Sequence, residues 1–256
     1  MSQRRFAIVT GASTGIGLEI AYCCLDAGLD LILVADEPGI HQAAAKLARP
    51  DAAITAIEAD LATEAGRARL FALIGDRNVD ILVANAGIGL GRAFLDQNLA
   101  DTTHLIRTNI EGTLAVIHKV ARGMRSRGEG RILITGSIAA YVPGPFQAAY
   151  NGSKAFINSF ALALREELRG TGVTVTCLAP GITDTEFFRR GGQLETKAGR
   201  SKKDDPRMVA RTGFDAMMQG RAFVISGWKN RFQIAVARLL PDGFLTRQHR
   251  RWSEPG

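Results

Sequence analysis

The chain has 256 residues, 46% hydrophobic and 22% charged, with 32 Lys and Arg against 25 Asp and Glu for a formal charge of +7. That apolar content excludes disorder, and the length suits one undivided domain over 1–256 whose core needs neither disulfides nor metal. Three cysteines, two of them adjacent (Cys23, Cys24), make no disulfide framework, which points to a reducing compartment.

No apolar run approaches the ~18 residues that a bilayer span needs. The N-terminus runs straight into an apolar, strand-like stretch, so no signal peptide is expected and the expected location is cytoplasmic. The basic excess is concentrated at Arg189, Arg190, Lys197, Arg200, Lys202 and Lys203 and again from Lys229 to Arg251. Stacking aromatics do not interleave it as a nucleic-acid groove requires, so it reads as a polar loop and a tail.

Short β-branched or Leu-rich runs at 6–10, 29–35, 54–59, 80–84, 131–135, 173–178 and 222–226 predict strands. Between them the spacing predicts helices near 16–27, 39–48, 64–75, 100–126, 150–169 and 206–219. Alternating β and α with nearly continuous apolar strands predicts an α/β fold, a parallel sheet covered on both faces and doubly wound by right-handed crossovers. The least patterned stretch, 183–205, is rich in Gly, Arg and Lys and is a candidate lid. Asp205-Pro206 then reads as a helix start, an acidic cap before a proline in the first turn.

After the first strand comes Thr10-Gly11-Ala12-Ser13-Thr14-Gly15-Ile16-Gly17. Glycines between a strand and a helix permit a tight turn and close backbone approach to a pyrophosphate, whose charge the helix N-terminus stabilises. The G-x-x-x-G-x-G spacing is not G-x-G-x-x-G, and a P-loop fails because Ile16, not Lys, follows Gly15. Gly11 to Gly15 also fits the G-x-S-x-G elbow of hydrolases, with Ser13 as nucleophile, although only His41, His104, His118 and His249 could serve it. A purely structural glycine turn is the third reading.

Asp36 stands 19 residues after Gly17, at the end of the second strand. An acid so placed suits hydrogen bonding to adenosine ribose hydroxyls. It opposes a 2′-phosphate, since two like unit charges ~4 Å apart repel by about 4 kcal/mol at an effective dielectric of 20. Glu37 adds to that repulsion and no adjacent residue supplies a cation, so NAD is expected over NADP.

Tyr150 and Lys154 lie at i and i+4, within reach on one helix face. Ser137, thirteen residues before Tyr150, falls just past a strand end, at the edge where such sheets bind ligands. A tyrosine of ordinary pKa ~10 is a poor base at neutral pH. A nearby ammonium, with the charge of an oxidised nicotinamide, is expected to lower that value. Tyr150 can then exchange a proton with an alcohol or carbonyl oxygen held by Ser137 while a hydride moves to or from the nicotinamide.

With these motifs in order, the sequence resembles the short-chain dehydrogenase/reductases over about residues 5–190. The resemblance implies a seven-stranded Rossmann-type parallel sheet in the order 3-2-1-4-5-6-7. It implies that the loop Gly11, Ser13, Thr14, Gly15, Ile16 and Gly17 binds the cofactor, Asp60-Leu61 the adenine, and that Asn85-Ala86-Gly87 supports the sheet beside it. It assigns a catalytic tetrad to Asn109, Ser137, Tyr150 and Lys154. Lys154 also binds the nicotinamide ribose, and Asn109 holds a water in a proton relay. Within Pro180-Gly181-Ile182-Thr183-Asp184-Thr185 it implies that the Ile182 backbone and the Thr185 hydroxyl receive the carboxamide. No metal is implied, and a homodimer or homotetramer through helices 100–126 and 150–169 is the family expectation.

Residues near the expected nicotinamide (Ile88, Gly89, Ala139, Tyr141, Val142, Pro143, Phe146, Phe187 and Phe188) are small or apolar and favour a small apolar alcohol or carbonyl compound. Arg189 and Arg190 read as solvated loop charges or a clamp on an anionic substrate group. In the tail, 228–256, Phe232, Val236, Leu239 and Leu240 share a face of one short helix that Pro241 ends. That helix packs over the pocket or a partner subunit, or lies on an anionic membrane. The leading expectation is an NAD-dependent oxidoreductase; a non-catalytic dinucleotide sensor or scaffold is the rival.

Overall fold

The computed structural model describes residues 4–254. In chain order its elements are β1 Phe6–Thr10, α1 Gly15–Asp26, β2 Asp30–Ala35, α2 Gly39–Leu47, β3 Ile54–Glu58, α3 Glu64–Ile74 and β4 Ile81–Ala84. Then come α4 Leu99–Ile106, α5 Thr113–Arg127, β5 Gly130–Thr135, α6 Ala148–Glu167 and β6 Val173–Ala179. The last are α7 Phe187–Arg190, α8 Lys197–Arg200, α9 Pro206–Met218, β7 Phe223–Ile225, α10 Trp228–Ala237 and α11 Asp242–Ser253.

The seven strands form one sheet in the order β3-β2-β1-β4-β5-β6-β7, every neighbouring pair parallel. Side chains alternate across a strand, so β1 sends Phe6 and Ile8 to one face and Ala7 and Val9 to the other. Both faces are covered, which is why the strand runs are apolar without interruption. On one side Leu70 of α3, Val116, Ile117 and Val120 of α5 and Ile157 of α6 pack against Ile32, Leu82 and Ile132. On the other, Ile20 and Leu25 of α1, Ile40 of α2 and Val209 and Phe214 of α9 pack against Leu31, Leu33, Ile81 and Leu133.

The order reverses between β1 and β4, where chains leaving in opposite directions open a crevice at the strands' carboxyl ends. As read from the sequence, Asp205 caps α9 by accepting from the Arg207 N–H at 3.0 Å, with Pro206 in the first turn. Two predicted helices differ in outcome. The stretch expected as one helix over 100–126 is α4 and α5 joined by a π turn at Arg107–Gly112. At Gly112 a Cβ would lie 2.6 Å from the Leu61 carbonyl oxygen, so the turn brings backbone into contact there. In the tail, Pro241 ends nothing permanently: it occupies the N-cap of a second helix, α11.

Candidate active site

Asn85 follows β4 at the switch point. Its Nδ2 donates to the Thr10 and Gly11 carbonyls at 3.1 Å each, and its Oδ1 accepts from the Thr135 hydroxyl at 3.0 Å. The Thr10 hydroxyl accepts from the N–H groups of Asn85 and Ala86, both at 3.0 Å. One amide and two hydroxyls thereby hold together the ends of β1, β4 and β5.

The glycine loop is packed too closely for side chains. Gly11 has φ +64° and Gly15 φ +58°, the left-handed region that glycine occupies without strain. A Cβ on Gly11 would lie 2.9 Å from Ala86 Cα, and one on Gly17 would lie 2.1 Å from the Gly11 carbonyl oxygen. Thr14, at the N-cap of α1, makes no side-chain capping bond, and the first turn that Ile16 enters carries no acid. The positive end of that helix therefore faces the crevice uncompensated, as a pyrophosphate requires.

Gly11, Ser13, Asp36, Asp60, Leu61, Ala86, Gly87 and Ile88 line that crevice together. Asp60 Oδ1 accepts from the Ala62 N–H at 2.9 Å, and Asp36 is exposed at the rim. The Ser13 hydroxyl donates to Glu37 Oε1 at 2.5 Å, and Arg190 donates to the same oxygen at 2.6 Å. Ser13 is thus engaged by a carboxylate rather than a histidine, which removes the hydrolase reading. Burial opposes ionisation of Glu37, but the Ser13 and Arg190 hydrogen bonds outweigh it and hold the carboxyl below its ordinary pKa. A cation does stand at Glu37, the residue after Asp36, delivered from 153 residues away and already paired there. Arg189 pairs with Glu186, so neither arginine clamps a substrate group here.

Asn109, in the π turn and 2% exposed, is fixed on both sides. Its Oδ1 accepts from the Ile88 N–H at 2.8 Å, and its Nδ2 donates to the Ile88 carbonyl at 2.9 Å and to Ser153 Oγ at 3.0 Å. Lys154, buried on α6, donates from Nζ to the Thr135 carbonyl at 2.8 Å. A Cβ on Gly87 would lie 3.2 Å from Asn109 Oδ1 and 3.4 Å from Lys154 Nζ, so these three residues meet at the crevice. Ser137 follows β5, and Asn158 of α6 brackets its backbone by donating to its carbonyl at 3.0 Å and accepting from its N–H at 3.4 Å. The Tyr150 side chain stands beside Ser137.

In the free protein, burial governs the protonation of the pair. Burial pushes Tyr150 up to about 12, and the neighbouring Ser137 only partly offsets this. Burial also brings Lys154 down to about 8. The ammonium lies 6.0 Å from the Tyr150 ring centroid and is committed to Thr135, so it does not make the phenol acidic by itself.

Pro180, Gly181, Ile182 and Thr185 cross above α1. The Pro180 carbonyl accepts from the Ile138 N–H at 3.0 Å, and the Ile182 carbonyl accepts from the Asp204 N–H at 2.7 Å. A Cβ on Gly15 would lie 2.7 Å from Thr185 Cγ2, which places this segment on the glycine loop. The Phe187 ring sits 5.0 Å from that of Tyr150 and close over Gly89. Behind it the buried amides of Gln147 and Gln193 pair, leaving Gln193 Nε2 without a partner. Sequence reasoning missed Gln147, Gln193, Asn158 and Asn230. The last ties α10 to Ser226 and Asp204 at 2.7 Å each, beside Gly181.

Residues 5–195 match the family model for short chain dehydrogenases. The chain is 34% identical over 208 residues to a serine 3-dehydrogenase of Rhizobium radiobacter, covering 78% of this chain and 81% of that protein. It superposes on a short-chain dehydrogenase from Sphingobium yanoikuyae in complex with NADPH with a TM-score of 0.82 and 26% identity, covering 92% and 93% of the two chains. A short-chain dehydrogenase/reductase from Burkholderia phymatum in complex with NAD shares the fold with a TM-score of 0.83 at 24% identity, over 93% and 92%. The chain belongs to the short-chain dehydrogenase family of oxidoreductases.

Two outcomes test the site. Asn85→Ala strips partners from two backbone carbonyls and a hydroxyl and should lower stability by about 2–4 kcal/mol in urea unfolding. In cofactor-free protein, the ultraviolet tyrosinate signal lost in Tyr150→Phe should develop only near pH 12, above the ordinary tyrosine range.

Proposed function

We propose that the protein interconverts a secondary alcohol and a ketone or aldehyde using a nicotinamide dinucleotide, with NAD favoured over NADP. The observation that carries this is the approach of Asn109 and Lys154 to Gly87 in the crevice the glycine loop opens, with Tyr150 one turn before Lys154 on α6 and beside Ser137 at the end of β5. When bound, the dinucleotide supplies the hydride acceptor or donor.

The residues fit such a group. Gly11, Gly15 and Gly17 leave room that a Cβ would fill, and Thr14 and Ile16 stand at a helix end suited to phosphate. Asp36 takes the adenosine ribose hydroxyls, Asp60 and Leu61 the adenine edge, and Asn85, Ala86 and Gly87 form the floor. Pro180, Gly181, Ile182 and Thr185 cover the nicotinamide end, with 183–205 as a lid.

Ser137 orients the substrate oxygen. Tyr150, neutral in the free protein, is already in the form that donates a proton to a carbonyl oxygen as it gains negative charge. Lys154 replenishes that proton through the ribose side of the crevice, and Asn109 positions the water that connects it to solvent. Removing the proton from an alcohol requires a lower phenol pKa, which a positive charge beside the ring provides. Phe187 and Gly89 supply an apolar wall, and the substrate is a small, largely apolar alcohol or carbonyl compound. Leu99 and Ile106 on α4 and Phe156 on α6 leave apolar side chains exposed for assembly into a homodimer or homotetramer.

Tyr150→Phe should lower turnover by about 10²-fold or more while cofactor affinity holds, scored by NADH absorbance over a panel of secondary alcohols and ketones. Unchanged turnover removes the proposal. NADH should bind at least about tenfold more tightly than NADPH, and Asp36→Ala should narrow that gap; tighter NADPH binding reverses the cofactor assignment.

A further inference from the structure

The outer face of α10 has no cover. Trp228, Phe232 and Val236 stand at i, i+4 and i+8, on one stripe of the helix, and Leu239 extends it past the helix end. Their exposures are 73%, 67%, 40% and 85%, while Ile234 and Ala237 on the opposite side are buried. An apolar stripe of this kind on the outside of a helix is already partnered in most folded chains.

Its surroundings are cationic. Over 228–238 the chain carries Lys229, Arg231 and Arg238 and no acid, +3 of its total +7. None of these three cations is in an ion pair among the described residues. Lys229 Nζ lies 5.8 Å from the Trp228 ring centroid, so aromatic and ammonium sit side by side at one end of the stripe.

We propose that this face of α10 docks on a lipid bilayer that carries anionic headgroups, with Trp228, Phe232 and Leu239 entering the interfacial layer and the flanking cations meeting the headgroups. Aromatic and aliphatic side chains rimmed by Lys and Arg are the pattern of an interfacial helix. A second copy fits less well. About a two-fold axis it brings the same unpaired cations to the same rim. Beside the stripe, the sheet edge is only the three-residue β7, and the Arg231 side chain donates to its Ile225 carbonyl at 3.0 Å, which blunts it against pairing with another chain.

The position also matters. The Arg238 guanidinium lies over the Tyr141 ring at 4.9 Å and donates to its hydroxyl at 3.3 Å, in the turn that begins at Ser137. The end of the docked helix is thereby joined to the turn that follows Ser137.

The test reads binding without turnover, so failure of the oxidoreductase reading leaves it standing. In a Trp252→Phe background, Trp228 emission and sedimentation are followed with phosphatidylcholine vesicles containing roughly one phosphatidylglycerol in four. The expected result is sedimentation and a blue shift, both weakened by salt and at least about tenfold weaker on pure phosphatidylcholine. Phe232→Ser/Leu239→Ser should weaken binding by at least about tenfold with unchanged circular dichroism and Tm, and Lys229→Glu should weaken it on anionic vesicles alone. No sedimentation with the anionic vesicles, or sedimentation that ignores these variants, overturns the proposal. So does light scattering that shows a dimer which Phe232→Ser/Leu239→Ser converts to monomer while vesicles are ignored.

Discussion

The Asn85 carboxamide is the point on which the site depends. Parallel strands have no hairpins to hold their ends together, and the crevice opens where β1 and β4 send their chains apart. Asn85 bridges that divergence by bonding to Thr10 and Gly11 on one side and Thr135 on the other. Thr135 then holds Lys154 through its carbonyl. The glycine loop and the ammonium are thus set relative to each other by two residues, with no flexible side chain between them.

Burial makes that ammonium easier to deprotonate, and the phenol's own burial makes it harder to ionise. The free protein consequently holds a neutral tyrosine close to a lysine that is still mostly charged at neutral pH. A positive charge brought beside the ring would lower the phenol's pKa again.

What the sequence made legible was local. The glycine turn, the i, i+4 pair at Tyr150 and Lys154 and the Asp205-Pro206 cap all express their geometry in spacing along the chain. The seven strands appear within a residue or so of their predicted bounds because the central ones are buried on both faces and even the edge strands β3 and β7 keep short apolar runs. The rest depends on encounters that leave no periodic trace: Asn158 against Ser137, Asn230 beside Gly181, Gln193 against Gln147, and Arg190 on Glu37. Four residues of separation at Tyr150 and Lys154 reveal proximity but not the depth of burial that governs them in the free protein. The tail misled through Pro241, which ends one helix and caps the next with the same fixed φ.

The π turn at Arg107–Gly112 has a consequence for how separable folding and chemistry are in this chain. A π turn carries about one residue more than a regular helix would over the same path, and here the surplus is what turns Asn109 toward Ile88. Deleting one position there would let the two helices merge with their packing faces still in phase, leaving the core that Val116 and Ile117 build intact. The shortened protein would be well folded and would have lost its buried amide. A single-codon deletion at this turn is therefore a short route to a relative of the same shape without the buried amide at Ile88.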